Sequence, residues 1–117
     1  FAASVGYSRA VRVGPHVAVA GTAPVMADSS DPPPDAYGQA RRCLEVIVDA
    51  LTELGAAPEH VVRTRIFLTD PGTIAEIGRA HAEVFGTVLP ANTTVVTALL
   101  DPRWLVEIEV DAIVPDE

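Results

Sequence analysis

The sequence predicts one α+β domain with the element order ββαβαββ, and three observations carry that reading. β-Favouring runs alternate apolar and polar residues, two longer stretches repeat apolar residues at three- and four-residue spacing, and Gly, Pro and Asp mark the joints between them. At 117 residues and 49% apolar, the chain can fill one hydrophobic core and offset the ordering of its backbone. Residues 1–117 are therefore read as a single domain.

Ala10–Val13 and His16–Ala20 are short β-favouring runs separated by Gly14-Pro15, which predicts a hairpin, with Gly21 ending the second strand. The polar stretch ADSSDPPPD, Ala27 to Asp35, reads as an extended surface loop. Asp35 can cap a helix in which Tyr37, Ala40, Leu44, Ile47, Leu51 and Leu54 form one stripe, and Gly55 supplies the stop. Val61–Leu68 alternates, placing Val62, Thr64, Ile66 and Leu68 on one face and Arg63, Arg65 and Phe67 on the other.

Thr73 and Glu76 have capping-box spacing, and Ile74, Ile77, Val84 and Phe85 mark a second helix ending near Gly86; Asp70-Pro71 offers an earlier start. Thr93–Leu100 and Leu105–Val114 complete the set, the last alternating Val106, Ile108, Val110 and Ala112 against Glu107, Glu109 and Asp111. Right-handed crossovers put both helices on one face of a mixed sheet. The other face mixes Phe, Val and paired charges, which predicts burial against other copies of the chain.

Composition removes several function classes. Sixteen acidic residues against eight basic ones, net charge −8, oppose contact with nucleic acid or an anionic membrane surface. All eight cations are Arg, so no Lys is present to form a Schiff base or a phosphate-loop contact. A lone Cys43 forms no internal disulfide, no apolar run reaches spanning length, and the residues from Phe1 onward show no signal-peptide pattern. A cytoplasmic location is the expectation.

The segment His81-Ala82-Glu83 matches half of a zinc deaminase signature, but the two-thiolate half cannot exist with one Cys. His16, His60 and His81 lack metal-ligand spacing, so no metal is expected, and each reads as structural or solvated. Cys43 sits beside Leu44 on the first helix and reads as a buried small hydrophobe, with Arg41 and Arg42 facing water. Glu107, Glu109 and Asp111 place three acids on one strand face about 6 to 7 Å apart. Ion pairing with Arg63 and Arg65 accounts for them, and so does one acid lining a site and orienting water.

Five segments taken together, Tyr7-Ser8-Arg9-Ala10-Val11-Arg12-Val13-Gly14, Val19-Ala20-Gly21-Thr22, Val62 to Asp70, Leu89-Pro90-Ala91-Asn92 and Val106-Glu107-Ile108-Glu109, resemble the Rid (YjgF) family of reactive-intermediate deaminases from about Val5 to Val114. The resemblance implies a chorismate-mutase-like fold, assembled as a homotrimeric barrel with small-molecule clefts between subunits. It also implies hydrolysis of enamines and imines to keto compounds and ammonia, without metal or organic cofactor. By resemblance Glu107 is the catalytic glutamate that positions water, and Tyr7, Gly21, Phe67, Asn92 and Thr94 match substrate-binding positions.

Two positions depart from the family pattern. Asn92 stands where deaminating members carry an Arg that grips the substrate carboxylate, and Gly78 stands where many carry an Asn. Losing a buried charge-assisted pair costs on the order of 2 to 5 kcal/mol, so the familiar substrate is in doubt. Arg103 would restore the cation if it reached a cleft. Tyr7 reads equally as an interface aromatic, and Gly21 as a backbone bend. The alternative to an enzyme is a non-catalytic trimer that binds a metabolite in the same clefts.

Overall fold

Gly14 holds φ at 58°, a left-handed turn conformation that glycine adopts freely, and with Pro15 it reverses the chain between β1 (Ala10–Val13) and β2 (His16–Thr22). The computed structural model describes residues 2–116. A short helix, α1 (Ala2–Val5), precedes the hairpin; α2 (Ala36–Glu53), β3 (Val61–Leu68), α3 (Ile74–Phe85), β4 (Ala91–Val96) and β5 (Val106–Ile113) follow. The predicted ββαβαββ order holds, and α1 is an addition to it.

One mixed sheet has the order β1-β2-β5-β3-β4. Every neighbouring pair is antiparallel except β3 with β4, which are joined through α3 and run parallel. Both helices lie on the face to which Val17, Val19, Thr64, Ile66, Val106, Ile108 and Val110 point, and α2 packs on β5 and β2. Ala40, Cys43, Leu44, Ile47 and Leu51 of α2, with Ile77, Ala80 and Phe85 of α3, complete the core.

Among the described residues neither α2 nor α3 covers the other face. Val11, Ala18, Asp111, Arg63 and Ala91 form one row across all five strands, and Val95, Phe67 and Glu107 form another. Val11 is 52% exposed and Val95 41%, so apolar positions on this face remain in contact with water in one subunit.

The ends of α2 follow from single residues. Asp35 has extended backbone angles and its carboxylate accepts a hydrogen bond from the Gly38 amide at 2.8 Å, satisfying one of the donors a helix start leaves over. At the other end Gly55 turns away at φ 78°, and Arg12 of β1 donates to the Leu54 carbonyl at 2.8 Å.

Four local expectations are corrected. β2 continues to Thr22 rather than stopping at Gly21, because a bulge between Val19 and Thr22 absorbs the irregularity and pairing with β5 resumes at Thr22. A second bulge, between Val61 and Arg63, puts Val61 in the core at 3% exposure and leaves Val62 outside at 44%. Thr73 makes no side-chain cap on α3; Asp70 accepts from the Gly72 amide at 2.8 Å instead, and Pro71–Thr73 form a 3-10 turn ahead of the helix. β4 spans Ala91–Val96, because its partner β3 ends at Leu68 and the Thr97 amide makes the last bond, to the Leu68 carbonyl.

Replacing Asp35 by Ala should lower stability by about 1 kcal/mol, while Asp35→Asn retains most of it. Urea unfolding followed by circular dichroism measures both, and equal midpoints for the Ala variant and wild type would contradict the cap's role.

Candidate active site

The three acids of β5 share a face but not an environment. Arg65 Nη1 lies 3.2 Å from Glu109 Oε2 and 3.2 Å from Asp111 Oδ2, bridging both carboxylates from the neighbouring strand. Glu107 stands opposite Phe67, not opposite a cation. Among the described residues no salt bridge engages it, and partial burial, reinforced by the Glu109 charge, pushes its carboxyl above the usual value. Ion pairing thus accounts for two of the three acids. The third is left with an elevated proton affinity.

Gly21 explains where that carboxyl goes. A Cβ built at position 21 would run into Glu107 Oε2, so the missing side chain is the space the carboxylate occupies. Gly21 lies inside the bulge of β2, which turns its backbone toward β5. Glu107, Gly21 and Tyr7 line one cavity of about 730 Å³, together with Arg9, Arg42 and Trp104. Cavities of that size suit small organic ligands.

The remaining predicted site residues, Phe67, Asn92 and Thr94, do not line this cavity. Phe67 adjoins Glu107 across the β3–β5 ladder, on the open face. Asn92 and Thr94 pair with Thr64 and Ile66 of β3, and so lie on the helix side of the sheet at its edge. The Asn92 Nδ2 donates to Thr64 Oγ1 at 2.9 Å, and Thr94 Oγ1 donates to Asn92 Oδ1 at 2.8 Å. Thr64 Oγ1 is 2.9 Å from His81 Nε2. The Thr64 hydroxyl thus bridges the Asn92 amide and the His81 ring. Burial lowers the His81 pKa.

Arg103 does not reach the cavity. It is held by Asp101 at 2.8 Å and Asp31 at 3.0 Å on an exposed loop. Cys43 is fully buried, and burial pushes its thiol far up, which keeps it protonated and unreactive. Among the described residues no three His, Cys, Asp or Glu side chains gather to hold a metal ion, and no helix is long and apolar enough to cross a membrane. A second hollow of about 470 Å³, between α2 and α3, holds none of the candidate residues.

The sequence reading missed Arg9 and Arg42 as lining residues. Arg9 had a signal: in extended chain it lies two positions from Tyr7, hence on the same side. Arg42 had none, since only the packing of α2 beside β2 brings it to the cavity.

The family model described as Endoribonuclease L-PSP matches residues 1–114. The chain belongs to the Rid (YjgF) family. The crystal structure of a Mycobacterium tuberculosis protein, described as a member of the highly conserved YjgF/YER057c/UK114 family, is 47% identical with a TM-score of 0.86, covering 96% of this chain and 90% of that one. An uncharacterized Streptomyces coelicolor protein is 39% identical over 110 residues, 93% of this chain and 82% of its own length. E. coli TdcF, solved with bound serine, is 26% identical with a TM-score of 0.84, covering 92% of this chain and 87% of that one. Within this Rid domain Gly78 faces open space, so packing does not require a glycine there.

Two outcomes follow from the Glu107 environment. Its folded-state pKa exceeds the ordinary 4.5, so the stability tied to its protonated form is fully present below that value and lost as pH rises through the folded one. Glu107→Gln should therefore melt at or above the wild-type temperature at neutral pH, with the gap closing below about pH 4. A thermal-melt series against pH checks this, and a variant markedly less stable at pH 7 would refute it. Gly21→Ala should cost little stability, because the clashing atom ends a movable side chain, yet it should re-aim the carboxylate. Its crystal structure should show Glu107 swung away from position 21.

Proposed function

We propose that this Rid protein hydrolyses small imines or enamines to carbonyl compounds and ammonia, with Glu107 as the base that takes a proton from the attacking water. The observation carrying the reading is the half-buried carboxyl of Glu107, free of salt bridges, above Gly21 in a cavity of small-molecule size. Water adds its oxygen to the C=N carbon as Glu107 accepts its proton. Returning that proton to nitrogen gives a carbinolamine; Glu107 then carries the hydroxyl proton to the amine, the C–N bond breaks, and ammonia leaves as the carbonyl forms. Such a hydrolysis needs no metal or organic cofactor.

The working unit in this reading is a homotrimer with ligand clefts between subunits. The rows of the open sheet face and the fully exposed strand β4 are surfaces that assembly would cover. Asn92 and Thr94, on the opposite side of their own sheet from Glu107, would then act at a neighbouring subunit's cleft, and Phe67 would close the wall beside Glu107. The bound serine of TdcF is a ligand of the size this cavity takes. A small ligand also suits the net charge of −8 better than the polyanion that the endoribonuclease label implies. A cytoplasmic setting fits the single, buried Cys43.

A second reading, a trimer that holds a metabolite without turning it over, is favoured by Asn92. Its amide donates to Thr64, accepts from Thr94 and brings no charge.

Ammonia and keto-acid release from imines generated in place by an amino-acid oxidase separates the two. Wild type should be active, with a rate that climbs with pH through the raised Glu107 pKa, and Glu107→Gln should lose at least about a hundredfold. If wild type is silent and Asn92→Arg gains turnover, the binding reading takes over.

A further inference from the structure

Eight arginines are the chain's only permanent cations, so their engagements decide where a small anion can be gripped. Six are committed. Arg12 donates to the Gly14 and Leu54 carbonyls, Arg41 pairs with Glu83, and Arg42 donates to the Val25 carbonyl and pairs with Glu45. Arg65 bridges Glu109 and Asp111, Arg103 is held by Asp101 and Asp31, and Arg79 lies 4.0 Å over the Tyr37 ring.

Arg9 and Arg63 remain, and among the described residues neither guanidinium has a hydrogen-bond or ion-pair partner. Arg63 belongs to the open sheet face, beside Asp111 in register and outside the cavity. Arg9 lines the cavity with Glu107. Its backbone is fixed there, since its carbonyl accepts from the Ala20 amide at 2.8 Å, one residue before the Gly21 that Glu107 covers.

We infer that Arg9 grips a carboxylate on the ligand of the Glu107 cavity, supplying the cation that position 92 does not. The inference rests on the cavity being the ligand site and adds the residue that holds the ligand's acid group there while its reactive carbon is presented to Glu107. A guanidinium's planar fork pairs with a carboxylate through two parallel N–H···O bonds, which fixes orientation as well as adding affinity. Asp49, Glu53 and Glu107 supply acid groups on the other walls. They favour a positively charged nitrogen on the same ligand and disfavour a second negative charge. Single positive and negative ends suit an α-imino acid better than a phosphorylated metabolite.

Binding of 2-oxobutanoate and of its uncharged methyl ester, measured by calorimetry with the intact protein, tests this without requiring turnover. Arg9→Gln should weaken 2-oxobutanoate by about tenfold or more and leave the ester unchanged. Arg9→Lys should fall between, and Arg103→Gln should match wild type. Equal affinity of wild type and Arg9→Gln for the carboxylate, or no carboxylate binding by wild type, overturns the inference. Imine turnover distinguishes it from hydrolysis by Glu107. Arg9-dependent binding without turnover leaves the inference standing and removes the hydrolase, whereas Glu107-dependent turnover whose KM for a carboxylated imine ignores Arg9→Gln does the reverse.

Discussion

The rest of the structure depends on the two-sidedness of β5. The strand lies between β2 and β3 and is hydrogen-bonded on both edges, so its register is held twice. Val106, Ile108, Val110 and Ala112 are at most 1% exposed beneath α2, while Glu107, Glu109 and Asp111 point the other way. A slip of one residue would drive three carboxylates under the helix, at a cost no packing gain could offset. The same alternation that builds the core therefore places Glu107 on the cavity side.

Position on that face does not make an acid reactive; neighbours do. Glu109 and Asp111 share Arg65, which stabilises their ionised forms, whereas Glu107 faces Phe67 and is partly withdrawn from water. Its ionised form is less stabilised than that of a solvated carboxylate, which makes it the stronger proton acceptor of the three. Gly21 completes the arrangement by leaving space where any side chain would stand. The bulge that carries Gly21 also gives the carboxyl its room.

What the sequence made legible divides along physical lines. Alternation and three-four periodicity are local and dense, so β1, β3, α2 and β5 were placed to within a residue. Bulges escape a period-two reading, because one extra residue reverses the faces that follow it. Val62 went to the wrong side for that reason, and β2 appeared to stop at Gly21. β4 was misplaced because its ends are set by its parallel partner rather than by its own residues. Within the site, Glu107 and Gly21 were legible from the family pattern. That Arg103 is held away from the cavity was not, since it turns on which carboxylates a guanidinium meets in three dimensions, and Arg103 meets two.

Asn92 shows why the loss of a cation at one place bears on another. Its amide ties edge strand β4 to Thr64 of β3, and through that hydroxyl to His81 of α3, while its oxygen accepts from Thr94. A guanidinium has donors only, so it could not accept from Thr94, and its charge beside His81 would oppose any proton on that ring. Position 92 therefore contributes hydrogen bonds and no charge. Anion recognition has to be drawn from cations that no carboxylate of the fold has already claimed. The N-terminal segment meets that condition, because it passes along the cavity before the first strand begins and puts Arg9 in the lining that Glu107 shares.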